Sequence, residues 1–218
     1  MVLLRHISVA LTAAVTAVGA ALFVAVNLLY KRRVWTPEDY YVFKEEEEEQ
    51  RERQVLVLGL DGAGKSSVLQ GLSGAASCKR RCKPTRGFNF IRLHTPACQL
   101  DFLEIGGGED LRVYWADFLR RTHILVYVVD SSDRSRLPVA KDELHRLLRV
   151  DTQLPVVILG NKQDKPNAVS VPELRDALSL GSVADQRKLF LLSLQLGSVG
   201  ATAACSLQSL QDLLLKLA

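Results

Sequence analysis

Several things are scarce in this chain of 218 residues. Net charge is one, because 28 Lys and Arg stand against 24 Asp and Glu, leaving only +4. So mild a basic balance is too weak a field for gripping a polyanion, and no nucleic-acid partner is expected. Cysteine is another. Cys78, Cys82, Cys98 and Cys205 stand at no zinc-ligand spacing with the histidines, which excludes a zinc module. His123 and His145 sit beside apolar runs and read as structural. Position 2 is Val, not Gly, so the N-terminal acylation signal is absent. Apolar residues are not scarce: 48% hydrophobic against 24% charged excludes a largely disordered chain.

Charge is also missing locally. The 24 residues from Ile7 to Tyr30 carry none, and only Ser8, Thr12, Thr16 and Asn27 are plainly polar there. As a helix this segment spans about 36 Å, enough for a hydrocarbon core of about 30 Å. A cleaved leader usually has a shorter apolar core. A surface helix needs a polar face, which is missing here. We therefore expect a tail at 1–6, a transmembrane helix at 7–30 set in a lipid bilayer, a juxtamembrane stalk at 31–53 and a folded domain at 54–218. Lys31-Arg32-Arg33 outweigh Arg5 and the amino terminus, which keeps the domain in the cytosol. Either the endoplasmic reticulum or the mitochondrial outer membrane suits such an anchor. Small residues recur every fourth position (Ser8, Thr12, Thr16, Ala20), a spacing that permits helix self-association but that Ala-rich segments also produce by chance. In the stalk, Thr36-Pro37-Glu38-Asp39 reads as a helix start. The run from Glu45 to Arg53 is either a charged helix or a solvated linker.

The domain opens with a phosphate cradle. Gln54 to Leu58 is a short buried-strand pattern ending in Gly59-Leu60-Asp61-Gly62-Ala63-Gly64-Lys65-Ser66, with Ser67 following. Strand, Gly-rich loop and helix in that order form a P-loop. Successive backbone N–H groups and the helix N-terminus hold phosphate oxygens. Lys65 reaches the outer phosphates and the Ser66 hydroxyl can ligate Mg²⁺. A second strand pattern, Pro155 to Leu159, ends in Gly160-Asn161-Lys162-Gln163-Asp164. The Asp164 carboxylate can accept two hydrogen bonds from a guanine edge, which adenine cannot supply. Asn161 then fixes the loop, and the Lys162 stem covers the base and ribose.

With these elements the chain resembles the Arf-like branch of the small GTPases. Pro84-Thr85-Arg86-Gly87-Phe88-Asn89, Val129-Asp130-Ser131-Ser132-Asp133-Arg134 and Asn161 to Ala168 are similar to its first switch, a further loop and its base loop. Leu103-Glu104-Ile105-Gly106-Gly107 is most similar to ADP-ribosylation factor-like proteins nine and ten. The resemblance implies an α/β P-loop small-GTPase fold, a mostly parallel six-stranded sheet flanked by helices, binding GTP or GDP with Mg²⁺. Alternation over Phe88–Leu93 and Leu100–Ile105 supports a hairpin between the two switches. Leu207, Leu210, Leu214 and Leu217 place the last helix against the core.

The resemblance also assigns residues. Thr85 meets Mg²⁺ and the γ-phosphate region, the Gly107 N–H bonds the γ-phosphate, and Ser66, Thr85 and Glu104 form the metal set. Glu104 stands where the family usually has Asp, an acid acting commonly through water. Gly108 stands where the family has the glutamine that orients the attacking water, so hydrolysis is expected to be slow. Ser193-Leu194-Gln195 matches the third base element only in position, with the Leu194 N–H expected on the guanine oxygen. Lys79, Arg80, Arg81, Lys83 and Arg86 make the first-switch loop unusually basic. An effector and an exchange factor would read the switch surface. The main reading is a membrane-anchored switch, and the alternative is a GTP-loaded tether or scaffold that does not hydrolyse.

Overall fold

The computed structural model describes residues 52–74, 85–95, 98–184, 187–196 and 201–218. All belong to one unit, Glu49–Ala218. The expected anchor at 7–30, the stalk up to residue 51, Cys78, Cys82 and the basic run Lys79–Lys83 lie outside the described residues. Among the described residues no helix is long and apolar enough to cross a membrane.

Six strands form one sheet: β1 (Glu52–Leu58), β2 (Phe88–His94), β3 (Gln99–Ile105), β4 (Ile124–Asp130), β5 (Val156–Asn161) and β6 (Leu189–Ser193). Their order is β2-β3-β1-β4-β5-β6. Only the β2–β3 pair is antiparallel, with Phe88 opposite Ile105 and His94 opposite Gln99, and this is the expected hairpin. The other four pairings are parallel. Val55–Leu58 of β1, Ile124–Val129 of β4 and Val156–Leu159 of β5 are continuous apolar runs because both faces of the sheet are covered. β1 starts two residues ahead of its expected start at Gln54.

The helices are α1 (Lys65–Leu72), α2 (Glu109–Arg112), α3 (Trp115–Leu119), α4 (Leu137–Val150), α5 (Val171–Ala177), α6 (Gly181–Ala184) and α7 (Ala201–Leu217). α5 begins on a capping box in which Ser170 and Glu173 satisfy each other's backbone N–H groups. Two apolar cores result, one on each face of the sheet. One gathers Leu58, Trp115, Tyr127, Leu144 and Ile158. The other gathers Val57, Leu69, Phe102, Leu210 and Leu214, with Leu207 and Leu217 packed at its margin. The leucine face of α7 is therefore core, as its spacing indicates.

Trp115 joins the first core to the loop after β3. Its ring is fully buried and meets Tyr127 edge-on at 6.4 Å between centroids. Its Nε1–H donates to the Gly106 carbonyl at 3.1 Å. Replacing it with Phe would remove ring volume and leave a buried carbonyl without its donor. Trp115→Phe should cost about 3 kcal/mol, against about 1 kcal/mol for Tyr127→Phe, which loses only the hydroxyl bond to Ala140. Urea denaturation of both variants measures the difference, and equal costs would show that the indole donor contributes nothing.

Candidate functional site

The carboxyl ends of β1, β3, β4 and β5 come together at one rim of the sheet, and the expected site residues lie on or just after these strand ends or on the loops beside them, except Lys65, Ser66 and Ser67, which open α1, and Leu194, which follows β6. After β1 the chain turns through Asp61–Ala63 and enters α1 at Lys65. Gly64 has φ of +95°, and a Cβ there would strike the Asn161 side-chain amide, so the position requires glycine twice over. That amide donates to the Ala63 carbonyl at 2.8 Å across 98 residues of sequence. Asn161 thus ties the base loop to the cradle and is itself 2% exposed.

Lys65 is 5% exposed and its ammonium donates to the Gly59 and Leu60 carbonyls at 2.9 and 3.1 Å. Burial pushes it down to about 8 from an ordinary 10.5, only partly offset by Glu104 and Asp61, while Arg112 pushes the same way as burial. Lys162 takes the left-handed conformation with φ of 62° and pairs with Asp130 at 2.6 Å, which holds its stem across the loop. Gln163 braces the same loop through Ser131 Oγ at 2.8 Å and the Val169 carbonyl at 3.0 Å. Asp164 is exposed at the loop tip.

Glu104, Ser66 and Thr85 converge. The carboxylate is 1% exposed, and its Oε1 accepts from Ser66 Oγ at 2.7 Å and from Thr85 Oγ1 at 3.1 Å. The two hydroxyl oxygens are 3.0 Å apart. Adjacent ligands of an octahedral cation with bonds of roughly 2.0–2.1 Å lie about 2.9 Å apart. These three oxygens therefore have the spacing of one octahedral face, and the residues fit the ion that the sequence implies.

Gly106 and Gly107 are pressed against backbone. A Cβ on Gly106 would meet the Thr85 carbonyl, and one on Gly107 would meet the backbone of Gly59, Leu60 and Asp61. The Gly107 carbonyl accepts from Arg112 Nε at 2.8 Å. Gly108 differs from both. Its φ of −63° and ψ of 152° suit any residue, and a Cβ there would meet only the movable Asp110 side chain.

One expectation is not met. The Leu194 N–H is donated to the Gly160 carbonyl at 2.9 Å, and its own carbonyl accepts from the Gln163 N–H at 3.3 Å. It extends the β5–β6 ladder, and with its side chain 1% exposed it serves the core instead of facing a base. His123 accepts from the Gln54 N–H at 3.1 Å, and His145 meets the Leu178 carbonyl at 2.8 Å, both structural as expected.

The contacts of three contributors carried no signal in the sequence. Asn89 donates to Glu104 Oε2 at 2.8 Å, a cross-strand contact visible only once the hairpin register is known. Arg112 and Arg136 reach Asp61 Oδ1 at 3.6 and 3.1 Å from 51 and 75 residues away. Around the switch segments Phe88, Phe90, Tyr114 and Phe118 are 66, 46, 55 and 38% exposed.

A P-loop at the end of β1, an Asn-Lys-x-Asp loop at the end of β5 and a buried carboxylate at the end of β3 define a nucleotide-binding α/β domain of the small-GTPase class. The ADP-ribosylation factor family model matches residues 40–215, and the chain belongs to that family. It is similar to mouse ADP-ribosylation factor-like protein 10, with 46% identity over 77% of this chain and 68% of the relative. It is similar also to human ADP-ribosylation factor-like protein 9, with 41% identity over 86% of this chain and 97% of the relative. Among solved structures, the Arl6 BBS3 small GTPase of Trypanosoma brucei, which holds the nucleotide analogue GppNp, superposes with a TM-score of 0.64. That likeness, at 22% identity over 77% of this chain and 99% of the other, is one of fold. The fold of this family binds guanine nucleotides.

The Lys65 environment has a measurable consequence. Between about pH 8 and 10.5 the unfolded chain keeps a proton that the folded chain has released. Unfolding then takes up a proton, so the Lys65 contribution to stability rises with pH across that window. Relative to Lys65→Met, the nucleotide-free protein should gain about 3 kcal/mol between those limits. Denaturant titrations at pH 7.5, 9 and 10.5 measure it, and a constant difference would contradict the burial of the ammonium.

Proposed function

We propose that this chain is a membrane-anchored guanine-nucleotide switch whose domain faces the cytosol, and that it binds Mg²⁺·GTP and GDP but hydrolyses GTP slowly. The observation that carries the hydrolysis part is the contrast within Gly106-Gly107-Gly108. The first two positions have no space for a side chain, whereas Gly108 has both the space and an ordinary backbone. Its missing side chain is not a demand of the fold. It removes the group that would hold a water in line, which is most of what such a site contributes to the reaction.

The binding half keeps its phosphate, guanine-edge and metal groups. Backbone N–H groups of the 61–66 loop and Lys65 hold the phosphates, and Asp164 accepts from the guanine edge while Asn161 keeps the two loops at a fixed separation. Ser66, Thr85 and Glu104 would hold the metal ion, which when bound neutralises charge on the phosphate oxygens. Trp115 holds the Gly106 carbonyl, which fixes the peptide plane carrying the Gly107 N–H that would meet the γ-phosphate. Effectors and exchange factors are known partners of small GTPases in this family. The exposed aromatics Phe88, Phe90, Tyr114 and Phe118 beside the switch segments are apolar surface such a partner could cover.

Attachment rests on residues 7–30, whose apolar length and flanking basic cluster suit a permanent anchor in the endoplasmic reticulum or the mitochondrial outer membrane. Nucleotide would then change what the domain presents, and not whether it is on the membrane.

Single-turnover GTP hydrolysis by the full chain and by Gly108→Gln tests the first claim. The variant should be faster by on the order of 10-fold or more. Equal rates would overturn the assignment of Gly108. Alkaline carbonate extraction of cell membranes tests the second: the full-length chain should stay in the pellet, and release to the supernatant would dismiss a spanning helix.

A further inference from the structure

Glu104 carries one methylene more than the aspartate usual at its position, and its surroundings make use of the extra reach. The residue is fixed at the end of β3, opposite Val57 of β1 and Asn89 of β2. Its backbone cannot advance or retreat, so the side chain alone sets where the carboxylate ends. That end lies within hydrogen-bond distance of both hydroxyls, 2.7 Å from Ser66 and 3.1 Å from Thr85. A carboxylate that acts on a cation through water stands a water's diameter back, with its oxygen roughly 4 Å or more from the ion. Here Oε1 stands 2.7 and 3.1 Å from the two hydroxyl oxygens, which are 3.0 Å from each other, the spacing of three cis ligands on one small octahedral ion.

We propose that Glu104 Oε1 is a direct ligand of the divalent cation accompanying the phosphates, taking a coordination position that water otherwise fills, and that Asn89 positions it. The proposal rests on the nucleotide-binding reading above. Asn89 Nδ2 occupies the other oxygen, Oε2, at 2.8 Å. That bond fixes the rotation of the carboxylate and restricts it to a single-oxygen contact, which suits the small octahedral ion better than a bidentate one. The three oxygens cap one triangular face, and phosphate oxygens are left for the opposite side. Shortening Glu104 to Asp would draw the carboxylate back by about 1.5 Å, one carbon–carbon bond, and open room for water.

The test is a count of coordinated waters. Full-length protein in detergent is loaded with Mn²⁺ and a non-hydrolysable GTP analogue, and waters on the ion are counted by electron paramagnetic resonance in ¹⁷O-enriched water. With three protein oxygens and two phosphate oxygens on a six-coordinate ion, the wild type should hold one water, and Glu104→Asp two. Asn89→Ala should weaken Mn²⁺ affinity by about 10-fold while leaving metal-free nucleotide affinity unchanged, as expected of a positioning residue. Two waters in the wild type, or the same count in wild type and Glu104→Asp, would overturn the proposal and leave the nucleotide-binding reading standing. Retention of analogue with no bound Mn²⁺ would overturn it too, by showing that the carboxylate displaces the ion. Failure to retain any analogue, seen directly as absent nucleotide absorbance, would overturn both. The wild-type count decides the matter even where Glu104→Asp does not fold.

Discussion

The domain's working rim depends on one buried carboxylate. Glu104, 1% exposed, would be untenable as an ion without partners, because removing a charge from water costs several kcal/mol unless hydrogen bonds replace the hydration. Its three donors come from three places: Ser66 on α1, Thr85 on the segment before β2, and Asn89 on β2. Satisfying that charge therefore draws the cradle helix, the first switch segment and the hairpin onto the end of β3. Lys65 stands near enough for its charge to be felt, so the cluster is not an isolated anion in an apolar core. The same demand for satisfaction makes the cluster a ready site for a cation, whose charge would replace donated protons as the stabilising partner.

Around that cluster, backbone proximity sets what each position tolerates. Gly107 lies against the first residues of the cradle and Gly64 against Asn161, so both depend on having no Cβ. Arg112 and Trp115 then hold the carbonyls of Gly107 and Gly106 from the side of α2 and α3. In a trans peptide the N–H points opposite the carbonyl, so a donor bound on one side aims the next N–H away from itself. The switch glycines are thus oriented by side chains that never need to touch a nucleotide. Asp61, bracketed by Arg112 and Arg136, extends the same bracing to the cradle.

Much of this was legible in the sequence wherever a feature was local. The P-loop, the Asn161–Asp164 loop and the alternation over Phe88–Leu93 depend on neighbours a few residues apart, and α1 begins at Lys65 as that pattern requires. What was not legible depends on register. Asn89 faces Glu104 only because β2 and β3 pair with Phe88 opposite Ile105, and a shift by one residue would turn it away. Leu194 misled for a related reason. A positional match to a base-contacting residue says nothing about where its N–H goes, and here the parallel ladder continues one residue past β6 and claims it.

These observations separate two properties that usually travel together in such sites. Holding a triphosphate needs a concave backbone, a buried cation and a metal face, all of which depend on groups that also stabilise the fold. Ser66, Thr85 and Glu104 satisfy one another, Lys65 satisfies the Gly59 and Leu60 carbonyls, and Asn161 locks two loops. Losing any of them would leave a buried polar group unpaired, at a cost of about 1–3 kcal/mol. Orienting a water is different, because the side chain that does it points away from the core and supports nothing else. Gly108 sits at that unsupported place, with an unstrained backbone and space before it. A site built this way can lose water activation with little penalty to its stability, and on the function proposed above Gly108 is the position where such a loss would cost the fold least.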